Sequence, residues 1–133
     1  TDIAEGLRYL TNASKKRCTP FIISDFMDKG FDNALKIASR KHDIVALRVY
    51  DKREIELPDM GLIKVYNKET NSKMWIDSSN SRTRGNYNKW WREHDKYLNT
   101  LFLKSGVDST QFSTDLDYVK PLVNLFKRRE ARF

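Results

Sequence analysis

The sequence predicts an α/β fold, with helices on both faces of a mainly parallel sheet and an antiparallel hairpin inserted into the order. Three observations carry that expectation. The apolar runs at 21–24 and 44–50 lack the polar alternation of a half-exposed strand, as expected where both faces are covered. Between them Phe31, Ala34, Leu35 and Ala38 recur at i, i+3, i+4 and i+7, the spacing of a crossover helix that makes its flanking strands parallel. The turn-rich "NKETNSK" at 67–73 separates two further apolar stretches, 62–66 and 74–76, and marks the hairpin.

Each element has its own signal. Ile3, Leu7 and Leu10 predict an amphipathic helix over 2–16, closed by Lys15, Lys16 and Arg17, whose charge suits a helix carboxyl end. Gly30 marks the turn after the first strand, and the crossover helix runs to about residue 41. The second strand ends at Tyr50-Asp51, and Pro58 breaks the polar stretch 51–60. A long helix is predicted over 83–105, carrying Tyr87, Trp90, Trp91, His94, Leu98, Leu101 and Phe102, with Gly106 just past its end. Adjacent Trp90 and Trp91 point about 100° apart on a helix, so only one can sit centrally on a buried face. A short strand follows at 109–113. Thr114-Asp115-Leu116-Asp117 has the form of a capping box before a last amphipathic helix with Val119, Leu122, Val123 and Phe126.

Composition bounds the function. The 133 residues fit one domain, and 12% aromatic content argues against disorder. A net charge of +7 favours acidic partners without choosing among nucleic acid, anionic membrane and an acidic protein. Cys18 is the only cysteine, which excludes an internal disulfide and points to a reducing, cytoplasmic setting; it is expected to be a small buried residue. No apolar run approaches the ~18 residues of a membrane span. His42 and His94 lack Cys or His neighbours at zinc-ligand spacing, and no Gly-rich phosphate loop, nucleophile elbow or HExxH occurs, so no enzymatic activity is expected.

The three parallel strands end alike, in Ser24-Asp25, Tyr50-Asp51 and Thr114-Asp115, and Asp28 follows shortly after the first. Ligands of open α/β sheets bind outside the carboxyl ends of strands, so these residues fall on a functional rim. Carboxylates held close together repel, and a hard cation such as Mg2+ relieves the repulsion. Asp also suits turns and helix starts, so punctuation is the competing reading. Asp25 is the best single metal candidate. Thr1 either caps the first helix with its hydroxyl or lends the same oxygen to an ion beside Asp25. The stretch "DKREIELPDMG", with Arg53, Glu54, Glu56 and Asp59, reads as a salt-bridged surface loop or a partner contact. In "SRTRGNYNKWWREHDKYLNTLF" cations alternate with aromatics, a pattern that can stack bases and neutralise phosphates. Nucleic-acid binding through helix 82–104 is therefore the competing function. The basic end with Lys127, Arg128, Arg129 and Arg132 is a solvated helix end or an electrostatic docking patch.

Taken together, "TDIAEGLRYL", the stretch from "PFIISDFMDKGF" through "DIVALRVYDKREIELPDMGLI", and "STDLDYVKPLVNLFKRR" resemble the C-terminal half of bacterial domain of unknown function 58 proteins. These are von Willebrand factor A-like and often encoded beside MoxR-type AAA+ ATPases. The resemblance covers nearly the whole chain and implies a Rossmann-like, three-layer sheet with a metal-ion-dependent adhesion site at the strand carboxyl ends. Such a site takes a DxSxS motif, a Thr in a later loop and an Asp after the fourth strand. Thr1 matches the second piece and Asp25 the third. DxSxS has no counterpart, and Asp25-Phe26 replaces the usual Asp-Gly.

The expectation is therefore a single partial von Willebrand A-like domain over 1–133. Its opening at Thr1-Asp2, without Met and directly in a helix, and its few strands predict that N-terminal strands are missing. It is expected to act as a non-enzymatic protein-interaction module, with a MoxR-type ATPase as the implied partner. Ser24, Asp28, Asp51, Arg53, Glu54 and Asp115 are its rim contacts. Mg2+ or Mn2+ is expected at Thr1 and Asp25 only in a full-length parent, and none in this fragment. Unpaired edges of the interrupted sheet are expected to self-associate.

Overall fold

The computed structural model describes residues 1–67 and 70–132. Its element order is α1 (Ile3–Ala13), β1 (Phe21–Ser24), α2 (Asp32–Lys41), β2 (Val45–Tyr50), α3 (Lys52–Ile55), β3 (Leu62–Asn67), β4 (Ser72–Asp77), α4 (Ser81–Ser105), β5 (Asp108–Ser113) and α5 (Val119–Glu130). The fold is α/β, with a parallel sheet in the order β1-β2-β5 and a separate antiparallel pair, β3-β4. Two compact units result, one of residues 1–50 and 98–133, the other of residues 51–97.

In the first unit the alternation of side chains along β2 builds two cores. Ala46 and the preceding Ile44 face a large cluster made by Leu7 of α1, Leu35 of α2 and Phe102 of α4. Val45 and Leu47 face the other way, onto Leu125 of α5 with Phe112 and Leu122. Helices thus cover both faces of β2 because every side chain from Val45 to Arg48 is buried. Strand β1 departs from the expectation. Its exposure alternates, with Phe21 at 45% and Ile23 at 68%. The reason is position: β1 is an edge strand, paired with β2 alone among the described residues, and its outer side chains receive little cover beyond the Phe21–Phe126 ring contact.

Helix ends correct three further expectations. Asp2, not Thr1, is the N-cap of α1, accepting the Glu5 N–H at 2.9 Å. The helix stops at Ala13 because Ser14 turns to extended backbone, which leaves Lys15, Lys16 and Arg17 outside it and away from its dipole. The capping box at 114–117 does not form. Asp115 instead accepts the Ser113 hydroxyl, and Asp117 accepts the Val119 N–H at 3.0 Å. The end of α4 follows the expectation closely. Gly106 takes φ 67°, its N–H reaches Leu103 O and the Val107 N–H reaches Phe102 O, which together make a Schellman motif.

In the second unit the hairpin pairs Leu62 with Asp77 through to Asn67 with Ser72. Lys68 and Glu69 of the predicted turn lie outside the described residues. Helix α3 was not anticipated. Asp51 nucleates it by accepting the Arg53 N–H at 2.9 Å. Of the tryptophan pair, Trp91 is 6% exposed and Trp90 42%, as their angular separation requires. Trp90 stacks on His94 one helical turn away, at 5.3 Å between centroids.

Candidate protein-interaction site at the carboxyl edge of the sheet

Parallel pairing puts the carboxyl ends of β1, β2 and β5 on one edge, with Ser24 in register with Arg48 and Tyr50 with Ser113. Asp25 and Asp115 leave that edge as exposed residues. The loop after β1 is shaped by its own side chains. Ser24 Oγ accepts the Phe26 N–H at 3.0 Å, and Asp25 Oδ1 accepts the Met27 N–H at 3.0 Å. These two side-chain turns fold the loop back so sharply that Phe26 adopts φ 56°, the left-handed region. A residue without Cβ would sit there without strain, which is what the Asp-Gly of the resembled motif provides. Phe26 holds the conformation instead by burying its ring completely, edge-on to Phe102 at 5.2 Å.

Asp28 ties the loop to the start of α1, accepting the Ile3 N–H at 2.9 Å with Oδ2 and the Lys29 N–H at 2.8 Å with Oδ1. A carboxylate at a helix amino end satisfies an otherwise unpaired N–H and favours the dipole. This bond brings the segment beginning at Thr1 to the same loop as Asp25. Thr1, Ser24, Asp25, Asp28 and Asp115 therefore all belong to the first unit.

The other predicted rim residues belong to the second unit. Asp51 pairs with Arg53 through Nη2 at 2.9 Å and Nε at 3.2 Å. The Arg53 side chain and backbone N–H hold the Asp51 carboxyl below the usual carboxylate range. Glu54 is exposed, and its carbonyl accepts the Tyr87 hydroxyl. Arg84 reaches Asp59 at 3.4 Å, so the 51–61 stretch does carry surface salt bridges.

Among the described residues no cluster of three His, Cys, Asp or Glu side chains could hold a metal ion. Asp25 has already given one oxygen to Met27, and Thr1 and Asp25 would supply two donors of the roughly six a Mg2+ ion takes. These residues do not fit a complete cation site. What the first unit offers at this edge is Asp25 and Asp115, each bonded within its loop by a neutral donor.

Two features lay beyond the sequence. The basic end is not merely solvated. Arg129 bonds both Asp43 and Asp108, and Arg132 also bonds Asp108, which gathers the carboxylates at the amino ends of β2 and β5. Asp43, with Asp108, holds the Arg129 guanidinium pKa above its ordinary value. Cys18, expected to be buried, is exposed, and its Sγ lies 3.2 Å from Nδ1 of His42. Both contacts join residues far apart in the chain, where local spacing carries no signal.

A mainly parallel, helix-covered sheet beside a separate antiparallel pair defines the chain as α/β. The model of the family described as protein of unknown function DUF58 matches residues 1–97, and the chain belongs to that family. It is 26% identical to an uncharacterized protein of Mycobacterium avium over 131 residues, 96% of this chain and 76% of that protein. Uncharacterized proteins of Mycobacterium bovis and Mycobacterium tuberculosis are each 30% identical over 70 residues, 52% of this chain but only 22% of theirs. No solved structure matches. No helix among the described residues is long and apolar enough to cross a membrane.

Proposed function

We propose that the chain is a non-enzymatic protein-interaction module of von Willebrand A-like design, and that the carboxyl edge bearing Asp25 and Asp115 is its contact surface. The observation that carries this reading is that exposure and local hydrogen bonding coincide there. Both carboxylates are exposed, and each takes its hydrogen bond from a neutral N–H or O–H of its own loop. A pre-ordered anion costs little entropy on binding and suits a cationic partner. A MoxR-type AAA+ ATPase is the partner, as family resemblance implies, and it places the chain in the cytoplasm. Mg2+ or Mn2+ enters only where a longer parent completes the ligand set. The edge of β1 that is unpaired among the described residues, with Phe21 and Ile23 exposed on that strand, supports self-association as a second contact.

The test is biolayer interferometry between this chain and the MoxR-type ATPase of the same organism. Asp25→Asn and Asp115→Asn keep each acceptor oxygen and remove each charge. At least a tenfold weaker affinity is expected for the double variant, as for loss of a well-placed charge pair. No binding by the wild type, or equal affinity for the variant, refutes the proposal. The competing nucleic-acid reading is checked with labelled oligonucleotides on the same instrument. It requires binding at low salt that weakens steeply as salt rises.

A further inference from the structure

We propose that Cys18 is a nucleophilic thiol that exchanges with anionic low-molecular-weight disulfides, using His42 as its proton acceptor. His42 is held firmly: it is the C-cap residue of α2, with its N–H on Ala38 O at 2.8 Å, and its side chain is wholly buried. Its ring points Nδ1 at the exposed cysteine, 3.2 Å from Sγ and 3.3 Å from the Cys18 backbone nitrogen. Accepting that N–H requires a lone pair on Nδ1, so the neutral ring carries its hydrogen on Nε2. Nε2 has no hydrogen-bond partner among the described residues. A buried histidine with a purely structural role normally satisfies both nitrogens. His42 leaves one unmatched and turns its basic nitrogen toward the only thiol in the chain.

The surroundings fit the reaction. The Cys18 carbonyl accepts the Asp43 N–H at 2.9 Å, which pins the loop across the α2–β2 junction, and Ser14 Oγ lies 3.7 Å from Sγ. Lys15, Lys16 and Arg17, all exposed, immediately precede the cysteine and favour a negatively charged disulfide. In the exchange the thiol proton passes to the one lone pair of His42 Nδ1, breaking its 3.3 Å contact with the Cys18 N–H, and the sulfur attacks one sulfur of the disulfide. A new S–S bond forms to Cys18 as the old one breaks, and the departing thiolate takes the proton back from Nδ1. The protein thiol and the small disulfide become a mixed disulfide and a free small thiol, with no other oxidant.

Two probes test this: glutathione disulfide followed by intact mass, and dithionitrobenzoate followed by absorbance. An unstructured peptide of residues 14–20 serves as reference. The folded chain is expected to form the mixed disulfide with glutathione, Cys18→Ser to form none, and the chain to react with dithionitrobenzoate about tenfold or more faster than the peptide in neutral buffer. That lead should widen as the buffer is made mildly acidic, a readout that a merely structural His42 does not move. His42→Gln, which keeps an acceptor for the Cys18 N–H but is no base, should fall to the peptide's rate. If circular dichroism shows that this variant is unfolded, the wild-type and peptide pH profiles decide alone. A folded chain that is no faster than the peptide, follows the same pH profile, or forms no adduct with glutathione disulfide overturns the proposal.

Discussion

Within the first unit, the two edges of the parallel sheet treat their carboxylates in opposite ways. At the amino edge Asp43 and Asp108 are partly buried and gripped by guanidinium groups, Arg129 bridging both and Arg132 adding to Asp108. At the carboxyl edge Asp25 and Asp115 are exposed, and their hydrogen bonds come from an N–H and a hydroxyl. The first arrangement joins residues 86 apart in sequence and makes an internal clamp. The second leaves negative charge uncancelled within its own loops. In a chain of net charge +7 that asymmetry is what the proposed contact surface rests on.

The largest effect that sharpens the contrast concerns the ring beneath the presenting loop. Phe26→Ala should lower stability by about 3–5 kcal/mol, because it empties a fully buried site while keeping the left-handed backbone. Phe26→Gly loses the same ring but relieves the backbone, so it should be less damaging than Phe26→Ala by about 1 kcal/mol. Urea denaturation of the pair checks the order. If the alanine variant proves the more stable of the two, Phe26 is not held against strain. A smaller effect is expected at Asp28, whose carboxylate serves the Ile3 N–H. Asp28→Ala should cost about 1 kcal/mol, as for other helix-start caps, and Asp28→Asn should recover most of it. Equal losses for both would mean that charge, not the acceptor oxygen, matters at that position.

Much of this was legible in the sequence where local pattern suffices. The β1-α2-β2 crossover, the hairpin and the Gly106 terminus each follow from spacing or turn chemistry within a few residues. Exposure of β1 was not legible, because "FIIS" reads the same at an edge as in the middle of a sheet. Helix starts misled for a related reason. Thr1 and the 114–117 box have suitable side chains, but Asp2 lies one residue nearer α1 and Asp117 lies nearer α5. The carboxyl edge was visible from the recurring Asp after each strand. The amino edge was hidden, since its acids are answered by Arg129 of α5 and Arg132 just past it, and its thiol by a histidine 24 residues away.

The central claim is that acids at the two edges serve different ends, and one comparison of stabilities tests it directly. Arg129→Ala strands partly buried Asp43 and leaves Asp108 to Arg132 alone, and should cost about 2 kcal/mol, between the values for exposed and buried ion pairs. Asp25→Asn/Asp115→Asn should leave the urea midpoint within about 0.5 kcal/mol of wild type, as for surface changes elsewhere. Comparable losses in the two variants would contradict the account.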